Sequence, residues 1–258
     1  MGIYNCGAYL DEAILTILNQ TYGNWELILC DDGSSDDTLA IAQRYAAQDE
    51  RIVLLRNESN LGLNKTLNKC LAAATGDIIA RMDGDDLCLP ERFEKELAFL
   101  DAHPEYAVVS CPMILFDENG DYREEKAIEK PSKVDVICGS PICHAPSMMR
   151  KDALLAVNGY TDEEYAIRVE DVDLWIKFYC AGYKAYNLQF PLYKMRNDRE
   201  AYSRRKYKYR INSVRVRHMG CKVLKLPIKY YFISSMPMVI GLLPGRLRKV
   251  ILHILGRG

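Results

Sequence analysis

Two short apolar runs in this 258-residue chain each end in a cluster of carboxylates, and that placement constrains its fold more than any other feature. Trp25-Glu26-Leu27-Ile28-Leu29-Cys30 reads as a buried strand and stops at Asp31-Asp32-Gly33-Ser34-Ser35, a turn and helix-cap cluster. Asp77-Ile78-Ile79-Ala80-Arg81-Met82 reads as another strand and stops at Asp83-Gly84-Asp85-Asp86. Around them apolar residues recur at helical spacing: Leu10, Ala13, Ile14, Ile17 and Leu18; Leu39, Ala42, Tyr45 and Ala46; Leu63, Leu67, Leu71 and Ala74, stopped by Gly76. Arg51 to Leu55 is a further strand, and Pro90 opens a helix running to about Ala102. This alternation predicts an α/β fold, a mostly parallel sheet flanked by helices. Such sheets bind ligands at the carboxyl ends of their strands, where both acidic clusters lie.

The second part of the chain is less regular. Ala107 to Phe116 reads as one strand, Asp117-Glu118-Asn119-Gly120 as a turn, and the Glu- and Lys-rich stretch to about Lys133 as a loop. Ser147 to Arg150 reads as a short strand, and Val172 to Tyr179 as a helix with Gly182 just past its end. At the other end, Met1-Gly2-Ile3-Tyr4-Asn5 leads straight into the first helix, where a sheet of this kind calls for a full strand. The first strand is therefore expected as a truncated stub, from a shortened chain or a start placed too late.

Apolar residues make up 49% and charged residues 27% of the chain, which excludes disordered, collagenous and disulfide-scaffold classes. No apolar run reaches the roughly 20 residues that span a bilayer, and no signal peptide opens the sequence. The nine cysteines include no C-x-x-C pair. Most, such as Cys30, Cys70, Cys111 and Cys180, sit in apolar runs and read as small buried hydrophobes in a reducing compartment. Zinc is not expected, because His103, His144, His218 and His253 do not cluster with them. The net charge of −1 hides an asymmetry: from Lys194 onward there are 17 Lys and Arg against 2 Asp and Glu, so an acidic body carries a basic tail. Arg204 to Arg210 and Arg215-Val216-Arg217 mix bases with aromatics. Tyr230 to Pro244 is uncharged, with Pro237 inside it, and Arg246 to Leu255 is a basic amphipathic pattern. No nucleic-acid recognition module accompanies these residues. Their mixture suits an anionic membrane surface, with packing onto the body or a second subunit as the alternative.

Asp83, Asp85 and Asp86, crowded at a strand end, cannot all stay ionised cheaply without a cation. A hard divalent ion whose shell is completed by diphosphate oxygens would relieve the repulsion; a polar cap for the helix at Pro90 is the plainer reading. Asp32 either accepts a hydrogen bond from a base or ribose or makes an Asx turn. Glu170, Asp171 and Asp173 sit at a helix start, where the helix dipole favours an ionised carboxylate. That suits a general base or a simple cap. His144 either lines an acceptor side or is structural.

Taken in order, Tyr4-Asn5, Asn19-Gln20-Thr21-Tyr22, Asp31 to Thr38, Asn60-Leu61-Gly62, Gly76-Asp77, Asp83-Gly84-Asp85-Asp86, Glu170-Asp171 and Trp175 resemble family 2 glycosyltransferases of the GT-A, Rossmann-like fold. The resemblance covers residues 1–200. It implies that Tyr4 stacks on the nucleotide base and that Asp32 reads it. Asp83, Asp85 and Asp86 would hold Mg2+ or Mn2+ with the donor's ribose and diphosphate, Asp85 and Asp86 as metal ligands. Asp171 would be the catalytic base of an inverting displacement, with Glu170 beside it. Arg196 or Arg199 would stand where some members contact the diphosphate. The Q-x-x-R-W signature of processive synthases is absent, which points to a single-addition enzyme.

The expected organisation is a GT-A domain over 1–200, with a nucleotide-sugar half (1–105) and an acceptor half (106–200), then a basic, helical extension over 201–258. The expected activity is metal-dependent transfer of a sugar from a nucleotide-sugar, UDP-linked, to a glycan or lipid-linked acceptor for surface polysaccharide. The expected location is cytoplasmic, peripheral to the inner face of the plasma membrane. A nucleotidyltransferase and a non-catalytic nucleotide-binding scaffold are the rivals. The first wants a glycine- and base-rich phosphate loop that this chain lacks, and the second is disfavoured by the presence of every acid.

Overall fold

A computed structural model of the protein describes residues 1–197 and 207–242. Arg199, Arg204 to Lys206 and the pattern from Arg246 to Leu255 lie outside the described residues.

The chain begins with β1 (Gly2–Ile3), the expected stub, and α1 (Gly7–Leu18). It continues through β2 (Leu27–Asp31), α2 (Thr38–Gln48), β3 (Ile52–Arg56), α3 (Leu63–Ala73) and β4 (Ile78–Ala80). β1, β2 and β3 form one all-parallel sheet in that order. All five residues of β2 are buried, as a strand covered on both faces must be. α1 turns Leu10, Ala13, Ile14 and Ile17 into the core, and α3 turns Leu67, Cys70 and Leu71 inward. The helix periods read from the sequence are the faces the helices bury.

After β5 (Leu87–Cys88) and α4 (Arg92–Ala102) the topology becomes mixed. β6 (Val108–Ser110), β7 (Met113–Asp117) and β8 (Gly120–Glu124) precede α5 (Lys133–Cys138). β9 (Met148–Arg150), α6 (Lys151–Ala156), α7 (Glu170–Cys180), β10 (Ala185–Asn187) and β11 (Tyr193–Arg196) follow. The strand expected over Ala107 to Phe116 is two strands in different sheets. They part at Cys111-Pro112, since proline has no N–H to give a ladder. β7 and β8 form a hairpin around the Asp117–Gly120 turn, so the expected loop begins as a strand. The second sheet runs β10-β6-β9-β4 and the third β5-β11-β7-β8, each with parallel and antiparallel pairs. Parallel pairing alone therefore describes only the first sheet. A cavity of about 500 Å³ separates β2 from β4 and is lined by Met1, Leu27, Ile28 and Ile78 to Arg81. The cysteines are free. Cys30, Cys70 and Cys111 are buried as expected, whereas Cys180 is exposed on the last turn of α7.

The basic extension is helical where described, as α8 (Tyr207–Val223) and α9 (Lys229–Leu242). α8 packs closely on the body. A Cβ at Gly220 would lie 2.6 Å from side-chain carbons of both Ile137 and Ile176. The buried Arg217 donates to the carbonyls of Val136, Ile137 and Gly139 at 2.6–2.8 Å. Among the described residues no helix is long and apolar enough to cross a membrane.

The turn before α7 fastens the two halves together. Asn158 and Gly159 both take positive φ, which brings the next residues against α3. Asn68 accepts from the Tyr160 N–H at 2.9 Å and donates to the Tyr160 carbonyl at 2.7 Å, and Asn64 donates to the Thr161 carbonyl at 2.7 Å. On the other side the Thr161 hydroxyl donates to Asp173 of α7 at 2.5 Å, and Lys177 donates to the Gly159 carbonyl and to Thr161. Asp173, two positions past Asp171 and so on another side of α7, is buried. Asp173→Ala would strip Thr161 of its acceptor and leave the Lys177 ammonium, 25% exposed, without its carboxylate. A loss of about 2 kcal/mol, roughly 4–8 °C in Tm, is expected from thermal melts. A melt unchanged within about 1 °C would show that the clasp contributes nothing to stability.

Candidate active site

The turn after β1 is docked onto the loop after β2, and this docking builds one wall of a cleft. Asn5, at φ 48°, donates its N–H to the Ser34 hydroxyl at 3.0 Å and accepts from the Ser35 N–H at 2.9 Å. The Cys6 N–H reaches Thr38 at 2.8 Å, and the Gly7 N–H reaches Asp36 at 3.0 Å. Gly33 is needed here: at φ 74°, its Cβ position lies 2.9 Å from the backbone of Ser59. Tyr4 is left 48% exposed at the mouth of a cleft of about 580 Å³. Asp32, Gly62, Glu164, Ile167 and Glu170 line the same cleft. Tyr4, Asp32 and Glu170, far apart in sequence, are thus brought together at the carboxyl ends of β1 and β2 and the start of α7.

Asp32 is buried, and its carboxylate accepts from Asn57 at 2.8 Å and from the N–H groups of Leu61 and Gly62 at 2.9 Å. It therefore holds the 60–62 loop as well as facing the cleft. Both sequence readings of this residue, turn-maker and binding group, are compatible with three bonds to a group that has about four acceptor positions.

The three carboxylates after β4 are gathered, with one ligand oxygen from each of Asp83, Asp85 and Asp86 lying within 4.8 Å of the others. Gly84 lets this loop approach the first strand, since its Cβ position is 2.8 Å from Cys6 Sγ and 3.0 Å from Ile3 Cγ2. Each acid has a different environment. Asp83 forms a two-point pair with the buried Arg81 guanidinium at 2.6 Å. Asp86, 2% exposed, accepts from the Tyr193 hydroxyl at 2.9 Å and the Arg196 N–H at 2.8 Å. Asp85 receives no side-chain hydrogen bond from elsewhere among the described residues. Burial, and then repulsion from Asp83, raise the Asp85 pKa. Burial, and then Asp83 and Asp85, push Asp86 up to about 8. A set of crowded hard oxygen donors fits Mg2+ or Mn2+, whose charge would reverse those shifts.

Arg196 stands behind the loop. Its Nε donates to the Asp85 carbonyl at 3.0 Å, its Nη2 pairs with Glu12 at 2.7 Å, and its guanidinium lies between the rings of Tyr9 and Phe116, 4.2 and 4.4 Å from their centroids. Its charge is thus already committed to protein partners. The base of the loop is held by Arg92, fully buried, which donates to the Arg81 carbonyl at 2.8 Å and pairs with the buried Glu96 at 3.1 Å.

Glu170 and Asp171 open α7 as expected, with Asp173 also in the first turn. Burial, and then Asp171, raise the Glu170 pKa. The Asp171 side chain makes no hydrogen bond or ion pair with another described residue, so it is available to a ligand. His144 is structural in this arrangement. Its Nε2 lies 2.9 Å from the Tyr160 hydroxyl and its ring meets Trp175 edge-on at 5.9 Å. Burial, and then Arg81, hold its pKa well below the usual range.

Sequence reasoning missed Arg81, Tyr193 and Glu12. For Arg81 a signal was present. It is a charged residue in an apolar strand run, two positions before an acid, and residues i and i+2 of an extended chain share a face.

In sequence and in fold the chain is similar to known glycosyltransferases. Residues 1–156 match the family described as Glycosyl transferase family 2. EpsE of Bacillus subtilis, assigned as a glycosyltransferase, is 45% identical over 245 residues, 95% of this chain and 88% of its own. The amylovoran biosynthesis glycosyltransferase AmsE of Erwinia amylovora is 32% identical over 200 residues, 76% of this chain and 74% of its own. In fold, S. aureus TarS in complex with UDP-GlcNAc superposes with a TM-score of 0.68 at 18% identity, covering 95% of this chain and 80% of that one. The mannosyltransferase PcManGT of Pyrobaculum calidifontis, in complex with GDP-Man and Mn2+, gives 0.63 at 19% identity over 93% and 68%. A GT-A-type α/β fold with these sequence relatives places the chain in glycosyl transferase family 2.

Proposed function

We propose that this glycosyltransferase moves a sugar from a UDP-linked nucleotide-sugar to a hydroxyl of a lipid-linked glycan in surface polysaccharide synthesis, at an anionic membrane surface, by an inverting displacement. The observation that carries the reading is the convergence of Tyr4, Asp32 and Glu170 on one cleft whose floor residue Ile3 packs against the Asp83–Asp86 loop. TarS and PcManGT are described with nucleotide-sugars, and AmsE is named for polysaccharide synthesis. Both support the donor and acceptor classes.

In this reading Tyr4 stacks on the base and the remaining acceptor capacity of Asp32 reads it. Asp83, fixed by Arg81, faces the ribose. Asp85, the carboxylate least engaged by protein donors, and Asp86 would hold Mg2+ or Mn2+, which when bound supplies a Lewis acid for the departing diphosphate. Arg196 serves the same side by fixing the backbone of Asp85 and the carboxylate of Asp86. An acceptor hydroxyl is a poor nucleophile near neutral pH, so Asp171 takes its proton as it attacks. Glu170, beside it, lines the cleft. Attack opposite the leaving group inverts the anomeric centre.

A screen of nucleotide-sugars by thermal shift with Mn2+ tests the donor reading directly; no stabilisation by any of them would remove it. Turnover should stop in excess chelator and return with Mg2+ or Mn2+. Asp171→Asn keeps size and helix-capping ability but cannot accept the proton. Turnover should fall about 10²–10⁴-fold with donor binding unchanged. A loss explained wholly by weaker donor binding would take the base role from Asp171 and leave Glu170 as the candidate.

The pH dependence of stability has a definite sign. An acid whose folded pKa, about 8 for Asp86, exceeds its unfolded value near ~4 favours folding below that unfolded value. The advantage is lost as pH rises through the folded pKa. In metal-free buffer the Tm contribution of this cluster should therefore fall from about pH 5 to pH 8. Asp85→Asn, which removes one of the repelling charges, should show a shallower fall. Mn2+ should raise the wild-type Tm most at the alkaline end and the variant's Tm little. Parallel pH profiles for the two proteins would contradict the repulsion argument.

A further inference from the structure

We propose that the outer face of the α8–α9 pair is a docking surface for an anionic lipid bilayer, with Ile228, Phe232 and Met236 as its inserting stripe. Phe232 and Ile228, at 71% and 70%, are the two most exposed large hydrophobic side chains among the described residues. With Met236 they recur every four positions, Ile228 immediately before α9 and Phe232 and Met236 one turn apart on it. Lys222, Lys225 and Lys229 flank that stripe at its start, all exposed, and none is ion-paired to a described residue. No Asp or Glu occurs anywhere in residues 201–258. An unneutralised cationic border around an apolar stripe matches a leaflet of anionic headgroups over acyl chains.

The underside of the pair is already satisfied. Val216, Arg217, Gly220 and Cys221 are buried against the body, and Ser234 of α9 is buried as well. The surface is therefore carried by helices packed on the body. α8 also reaches the cleft, since Asn212 donates to the carbonyls of Glu164 and Ile167 at 3.1 and 3.2 Å, and both residues line it. From Asn212 to Val223 the helix rises about 17 Å. A protein docked through α9 would hold its cleft at a set height above the bilayer, where a lipid-linked glycan presents its end. This deepens the reading of a lipid-linked acceptor, yet the binding itself is measured without turnover, so failure of one is distinguishable from failure of the other.

The test is cosedimentation of the full chain with phosphatidylglycerol-containing vesicles and, separately, with pure phosphatidylcholine vesicles. Binding to the first, weakened by salt, is expected. Ile228→Ser with Phe232→Ser should lower the partition coefficient about tenfold or more. Lys225→Glu with Lys229→Glu should also weaken it, with Tm and turnover on a water-soluble acceptor unchanged in both. Wild-type binding by the serine variant would overturn the proposal and assign attachment to residues 243–258. Absence of vesicle binding, together with a dimer that the serine variant dissociates, would overturn it in favour of a second copy of the chain.

Discussion

Three carboxylates crowded at the end of one strand are the constraint around which the rest of this structure is arranged. Left alone, Asp83, Asp85 and Asp86 would repel one another in a partly desolvated pocket. The fold answers the repulsion unevenly. Arg81 neutralises Asp83 through two short contacts, and Tyr193 and the Arg196 N–H hold Asp86. Asp85 is left without an equivalent. The proposed metal site rests on that unevenness, because two acids are fixed while the oxygens of Asp85 take no side-chain hydrogen bond among the described residues. The supporting groups come from the residue after β4 and from β11, and β11 is placed by parallel pairing with β7. The site therefore depends on strands more than a hundred residues apart.

The second dependence is between the donor wall and α7. The function proposed for the cleft requires Glu170 to stay on it with Tyr4 and Asp32. What holds them there is the turn at Gly159 to Thr161, bound to α3 by Asn64 and Asn68 and to α7 by Asp173 and Lys177. Each bond of this kind adds about 1 kcal/mol net, a modest sum for stability. As a geometrical device it is stronger, since amide-to-backbone pairs tolerate little sliding.

Much of the chain up to the acidic loop after β4 could be read from the sequence because its signals are local. Buried strands there are apolar runs, helices show one apolar stripe, and each acidic cluster follows a strand directly. The chain beyond the acidic loop was less readable for identifiable reasons. β5, β10 and β11 have two to four residues, too few for a period to register. β8 is mostly exposed and polar, and so resembles a loop. The break at Cys111-Pro112 sits inside a continuous apolar stretch. Cys180 is apolar by neighbourhood yet faces outward, because helical phase decides its exposure and its neighbours do not. The partners of Asp86 were beyond any sequence argument, since Tyr193 reaches it by a pairing that local pattern does not encode. The ordered set of motifs carried the family in spite of these gaps; of the residues it pointed to, Tyr4, Asp32 and Glu170 line one cleft, and Asp83, Asp85 and Asp86 gather in a separate cluster whose Gly84 packs against Ile3 of that cleft.

Arg81 is held at both ends, its carbonyl by the buried Arg92 and its guanidinium by Asp83. The acidic loop begins, in effect, from a fixed post inside the core. Its first member, Asp83, is thereby tied to the residue that follows β4. Functional groups built on rigid elements keep their geometry better than groups carried on loops alone. On the proposed function, the segments that meet the acceptor could then vary in length and composition without moving the acidic loop, so a change of acceptor would not disturb the groups proposed to release the leaving group.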